Sequence, residues 1–189
     1  MKPTSSTTLQ HQLLIAMPQM DDPNFAETVI YLVDHGPDGA MGLVINRPNG
    51  LHLDDLLEQL RPDVPPTLQD NQLALYSGGP VQNDRGFVLH DAGPTFQNTL
   101  ELEELSLTTS PDVLFAISDG SGPARHLITL GYSGWGPGQL EEELAANLWL
   151  TTPATTTLLF ETPSEQRLGA AAALLGIDLR LLSRQAGHA

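Results

Sequence analysis

Three stretches of the chain combine residue types that can do chemistry. Asn46-Arg47-Pro48 sets an arginine beside an amide at the end of an apolar segment. A guanidinium fork matches a carboxylate or phosphate, so Asn46 and Arg47 can read an anion; Arg47 can equally pair with one of the chain's many acids. Arg85-Gly86-Phe87-Val88-Leu89-His90 carries a cation and an imidazole. Strand parity puts Arg85, Phe87 and Leu89 on one face and Gly86, Val88 and His90 on the other, so Arg85 and His90 do not point into one simple site. His90 is open to two readings, general base or structural histidine. The third stretch, GYSGWGPG at 131–138, runs into a helix, where backbone N–H groups can approach an anion. No Lys-Ser/Thr follows, so it is not a P-loop. Glu141 in the first turn already favours the helix dipole and would repel phosphate. The other reading is a tight strand-to-helix corner with Trp135 packed over it.

The helix after that corner shows two stripes. Leu140, Leu144 and Leu148 recur every four residues and should face the core. Gln139, Glu143 and Asn147 form a parallel polar stripe that can hold a ligand or bind neighbouring backbone groups. Arg47, Arg85, Asn46, Trp135, Gln139, Glu143 and Asn147 are therefore the candidates for ligand or partner binding. No catalytic residue is assigned. The sequence has no G-x-S-x-G and no H-E-x-x-H, and its six histidines are scattered. Neither a metal nor a cofactor is expected.

These groups must be positioned by a series of short elements. Leu13–Met17, Thr28–His35, Ala40–Asn46, Leu73–Ser77, Gly86–His90, Arg125–Tyr132 and Thr156–Phe160 read as strands, with one or two more within Asn98–Thr108. Thr28–His35 and Ala40–Asn46 look apolar on both faces, which calls for a sheet covered on each side. Residues 28–46 form a hairpin around Gly36-Pro37-Asp38-Gly39. Leu53–Leu60 has helical spacing, and Gln139–Asn147 is a second helix. Ser110 before Pro111 reads as the cap of a helix over Asp112–Ser118. Thr162-Pro163-Ser164-Glu165 reads as a capping box for a helix that stops at Gly176. Residues 1–8 look like a flexible arm, and 61–72 a proline-containing loop. Hairpins and short connections favour one α+β domain over 9–189, with a mixed, largely antiparallel sheet that glycine-proline turns let bend.

Composition narrows the partners. The 189 residues suit about one domain. Asp and Glu number 23 against 8 Lys and Arg, a net charge of -15, which opposes direct binding to nucleic acid or an anionic membrane. There is no cysteine, hence no disulfide, thiol nucleophile or cysteine-held zinc. The polar start lacks a signal peptide's pattern, and no apolar run is long enough for a membrane span, so a cytoplasmic protein is expected.

Three segments together resemble the YqgE/AlgH family of bacterial proteins: LLIAMPQMDDPNFAETVIYLVDHGPDGAMGLVINRP at 13–48, SGGPVQNDRGFVLH at 77–90 and LGYSGWGPGQLEEELAANLWL at 130–150. The resemblance covers 9–189 in order and spacing. Asp84 stands where Glu is usual, and Ser133 and Pro137 replace small residues. It implies a single α+β domain whose sheet folds into a partial barrel with flanking helices, in a cytosolic protein. It supplies no settled activity, only a label as transcriptional regulators. The leading expectation is a non-enzymatic binding or regulatory protein acting through a protein or small-ligand partner. An enzyme for a small anionic substrate is the alternative, with Glu141, Glu143 or His90 as acid–base groups. Direct DNA binding comes third.

Overall fold

Positions 13–16 and 29–33 are apolar throughout, and such strands need cover on both faces. The computed structural model describes residues 7–64 and 73–185, with side chains as far as residue 182. In it β1 (Gln12–Ala16), β2 (Val29–Gly36) and β3 (Gly39–Val44) form an antiparallel meander in which Leu13–Ala16 and Val29–Val33 are buried. β4 (Pro48–His52) leads into α1 (Leu53–Leu60). Then come β5 (Ala74–Ser77), β6 (Val81–Asp91), β7 (Thr99–Leu102), β8 (Leu105–Thr108), α2 (Asp112–Asp119), β9 (His126–Trp135), α3 (Gln139–Ala145), β10 (Trp149–Pro153), α4 (Ser164–Leu174) and α5 (Leu179–Gln185).

The main path of the sheet is β10-β1-β2-β3-β9-β6-β8-β7, and β4 and β5 branch from β9. Among the described residues every pairing is antiparallel except β5 with β9. The sheet curls into a half-barrel. Phe87, Leu89, Leu102, Leu105 and Leu107 meet Leu13, Tyr31 and Leu43 on its inner side, with Leu158, Leu159 and Ala171 filling in beneath them. The outer side is covered in two parts. Leu140, Trp135 and Trp149 pack with Leu14, Ile30 and Leu32 under α3, and Leu53, Val113, Leu114 and Ile117 pack on Leu75, Val88 and Ile128 under α1 and α2.

The bend has a local cause. One edge of β9 pairs with β5 at Thr129 and Leu130, then with β3 from Ser133 to Trp135. Gly78 stitches this change of partner: its carbonyl accepts from Val44 N–H at 2.8 Å, and its own N–H donates to Leu130 at 2.8 Å. Gly79 follows at φ +154, where a Cβ would lie 2.2 Å from the Tyr132 backbone. Only glycine fits that approach. A buried arginine ties α4 to the sheet. Arg167 donates to the carbonyls of Ile45 and Thr162, and its guanidinium lies over the Tyr76 ring.

Several expectations need correction. Thr156–Phe160 is no strand: Thr157–Glu161 is a single π-helical turn, closed by Thr162 N–H to Thr157 O at 2.9 Å. Leu158 and Leu159 are consecutive yet both enter the inner core, which a strand's alternation forbids and a wide turn permits. The strand of that region is β10, just before it. Ser110 does not cap α2. Its hydroxyl donates to Asp112 and accepts from Asn98 N–H, while Pro111 occupies the cap position. Thr162–Glu165 forms no capping box either, because the Thr162 hydroxyl turns back to Thr157 O. The helix from Gln139 ends at Ala145, two residues short of Asn147, whose φ of 57 is left-handed. β4, β10 and α5 were not anticipated. The proposed arm lies largely outside the described residues, although Thr8 at its end donates to the His35 carbonyl at 3.2 Å. Most of the loop 61–72 also lies outside them.

Candidate functional site: the mouth of the half-barrel

Among the described residues the inner face of the sheet is not fully covered. At one end β2, β3, β9, β6, β8 and β7 line an open groove of about 1320 Å³. Met41, Phe87, Leu107 and Tyr132 make its apolar floor, and Phe87 meets Tyr132 edge-on at 5.5 Å. Leu100 of β7 is on the wall and 53% exposed, although it shares its face of the strand with buried Leu102. Asp34 and Asp38 stand at the β2–β3 side. Arg85 stands opposite, carried out of the sheet by the β6 irregularity between Val81 and Gly86.

Arg85 differs from the other described arginines. Arg47 and Arg167 are committed to backbone carbonyls, and Arg125 and Arg180 are held by Asp91 and Asp178. Arg61 lies over the Phe115 ring at 3.4 Å. Among the described residues, exposed Arg85 meets neutral groups, Gln82 Oε1 at 3.5 Å, Thr109 Oγ1 at 3.2 Å and the Phe87 ring at 5.7 Å. It also borders a smaller cavity of about 410 Å³ against Leu56, Leu60 and Pro111.

The other sequence candidates go elsewhere. Trp135 borders the groove, but its indole belongs to the opposite face. There Glu143 Oε2 accepts from both indoles, Trp135 Nε1 at 3.0 Å and Trp149 Nε1 at 2.7 Å, while Oε1 accepts from Gln139 at 3.1 Å. Gln139 Oε1 in turn takes the Gly136 N–H at 3.0 Å. Asn147 is out of this stripe, and its carbonyl accepts from Gln19 at 2.5 Å. Asn46 Oδ1 accepts from Val29 N–H and its amide donates to Glu27 O, each at 2.9 Å. Arg47 donates to the carbonyls of Pro23, Asn24 and Ala26, so its fork binds the preceding turn rather than a carboxylate.

His90 is fully buried. Its Nδ1 lies 2.8 Å from the Asp91 carbonyl, so Nδ1 carries the proton and Nε2 accepts from the Thr108 hydroxyl at 2.8 Å. Burial pushes the pKa of His90 down, and that of its cross-strand neighbour His126 as well. His35 accepts Leu9 N–H at Nδ1 and therefore donates from Nε2 to Glu141 at 2.8 Å, tying β2 to α3. The Glu141 carboxyl is held below its usual range by its own backbone N–H and by His35. Arg47, His90, Glu141 and Glu143 thus do not converge. Among the described residues no three metal-ligating side chains gather, and no helix is long and apolar enough to cross a membrane.

Sequence reasoning singled out Arg85 but missed Met41, Leu100 and Tyr132. The one available signal was an apolar Leu100 between Thr99 and Glu101, a pattern that also fits an ordinary core position.

Comparison with known proteins agrees with this architecture. The AlgH-like family model matches residues 13–180. A UPF0301 protein of Stutzerimonas stutzeri is 62% identical over 189 residues, and the UPF0301 protein AlgH of Pseudomonas aeruginosa 60%, each covering 100% of both chains. The solution structure of the Pseudomonas aeruginosa AlgH protein covers 100% of both chains with a TM-score of 0.82 at 60% identity. A crystal structure of a Corynebacterium diphtheriae protein shares the fold at 21% identity, with a TM-score of 0.70 over 92% of this chain and 90% of that one. By full-length sequence and by its half-barrel, this chain belongs to the AlgH-like family.

Proposed function

We propose that this is a non-enzymatic binding protein that works through the mouth of its half-barrel. The observation that carries the reading is the groove itself. Its volume of about 1320 Å³ exceeds the roughly 300–1,000 Å³ of ordinary small-molecule sites. It presents exposed Leu100 and half-buried Met41 and Tyr132 beside a guanidinium with no ionic partner among the described residues. The ionisable side chains on its wall among the described residues are Asp34, Asp38, Arg85 and Tyr132, with no histidine to run acid–base chemistry. A protein or small-ligand partner in a cytoplasmic setting is part of this proposal. So is an indirect route for any effect on transcription, because a net charge of -15 disfavours contact with DNA.

The test is a fragment screen by thermal shift, followed by amide NMR on the hits. A ligand at about 100 times its Kd adds roughly 2.7 kcal/mol. Hits are expected to perturb Met41, Phe87, Leu100 and Tyr132, and to be lost in Leu100→Glu. Hits that map elsewhere and ignore Leu100→Glu would refute the reading.

A further inference from the structure

We infer that the groove takes a short extended peptide whose two ends carry opposite charge, a free carboxylate at Arg85 and an amine at Asp34 and Asp38. This rests on the groove being a binding site, as proposed above, and adds the class of ligand.

Register carries the inference. Asp34 pairs with Met41, and Met41 with Gly134, so these residues form one row across β2, β3 and β9. On β9 this row lies two residues from Tyr132, which faces Val81 at the start of the β6 irregularity that carries Arg85. The groove is therefore dipolar. Its acids are at the β2–β3 hairpin, its one cation among the described residues is three strands away, and Met41, Phe87, Tyr132 and Leu107 lie between. Strands are spaced about 4.8 Å apart, so β2 and β6 are about 14 Å apart along the sheet. An extended chain rises about 3.4 Å per residue, so about four residues span that distance.

Each end has a chemical reason. Arg85 keeps donors for a carboxylate because Gln82 and Thr109 are long, neutral partners. Asp34 and Asp38 are both exposed and make no ion pair among the described residues, so they can take an ammonium group. Their sign is that of the whole molecule, whose charge of -15 draws in a cationic end and repels a ligand that is only anionic. Arg85 offers a local exception to that field. The floor accepts apolar side chains, which a free inorganic anion lacks.

The probe is the tetrapeptide lysyl-phenylalanyl-leucyl-leucine with free ends, titrated by calorimetry and by amide NMR on the intact protein. Three partners of the probe are compared: its C-terminal amide, its N-acetyl form with norleucine for lysine, and the peptide with both changes. Free-ended peptide should bind with shifts at Met41 and Leu100. Amidation should weaken it at least about tenfold. In Arg85→Gln, amidation should make no further difference; in Asp34→Asn with Asp38→Asn, removing the amino-end charges should make none. All three side chains are exposed, so these variants should fold. Equal binding of free and amidated peptide, or no binding up to millimolar concentration while fragments still perturb the groove, overturns this inference and leaves the binding reading standing. No perturbation by peptide or by fragments removes both.

Discussion

Glu143 offers the sharpest test of how the sheet's outer face is held. Its carboxylate takes both indole N–H groups of a chain that has two tryptophans. The rings themselves pack closely: Trp135 and Trp149 meet edge-on at 6.2 Å, and Phe25 lies 6.1 Å from one and 5.9 Å from the other. Glu143→Gln keeps the shape but replaces two charge-assisted bonds by neutral ones. A bond to a charged group nets about 1.5–3 kcal/mol and a neutral one about 0.5–1.5, so the loss is about 2 kcal/mol. The new amide N–H₂ must also face that of Gln139, which is fixed by Gly136. Glu143→Ala orphans two indole N–H groups on rings that are 5% and 2% exposed, at about 1–3 kcal/mol each. The total is then about 4 kcal/mol. In a chain of this size 1 kcal/mol moves Tm by about 2–4 °C, so the glutamine variant should melt about 6 °C lower and the alanine variant about 12 °C lower. Urea unfolding followed by tryptophan fluorescence gives the energies, and the two indole N–H resonances give the local cause. If both variants unfold within about 0.5 kcal/mol of the parent and the indole resonances do not move, the carboxylate is not the acceptor and the reasoning fails. Large losses would identify the polar stripe of α3 as a structural device rather than a binding surface.

Further expectations follow from other parts of the molecule. The pKa values of His90 and His126 are held below the ordinary 6.5 by burial, so as pH falls through that value the unfolded chain binds protons first. Stability should be level above about pH 7.5 and fall between about 7 and 5; urea midpoints across that range check it, and His126→Gln should flatten the slope. Gly79→Ala sets a Cβ 2.2 Å from the Tyr132 backbone and should prevent stable folding. Gly138→Ala has the same residue change at φ +76 with open space around it, and should cost only about 1–2 kcal/mol by chemical denaturation. Arg47→Met removes donors to three carbonyls of the turn before β2; water can reach most of these, so the loss should be about 1–2 kcal/mol, with accelerated amide exchange confined to residues 23–28.

The hairpin of β2 and β3, and α1 at Leu53–Leu60, were readable because local patterning and turn residues decide them. The parity argument for β6 also holds, with Phe87 and Leu89 on the inner core and Val88 on the outer. β10 escaped notice because Trp149–Pro153 has no local pattern of its own; it is a strand because β1 offers a free edge. Leu158-Leu159 misled because two buried leucines between threonines suit either a strand or a turn, and only the core decides. The glycines of 78–79 read as a turn, which they are, but their close approach to β9 is a tertiary fact. The groove was unreadable for the same reason. Its floor is gathered from four strands, and among the described residues no element covers it.

The pairing of β1 with β10 joins Gln12–Ala16 to Trp149–Pro153. The inner edge of β1 finds β2 within a score of residues, but its outer edge pairs with residues about 130 further along than β1 itself. At roughly 5–20 residues per second of synthesis, that edge stands open for about 7–26 s on the ribosome, exposing one of the most apolar segments of the chain. Full pairing comes only once Trp149–Pro153 has emerged. A circular permutant that opens the chain between β2 and β3 and joins the old ends would bring β10 and β1 out in succession, and should shorten that exposure without altering the finished sheet.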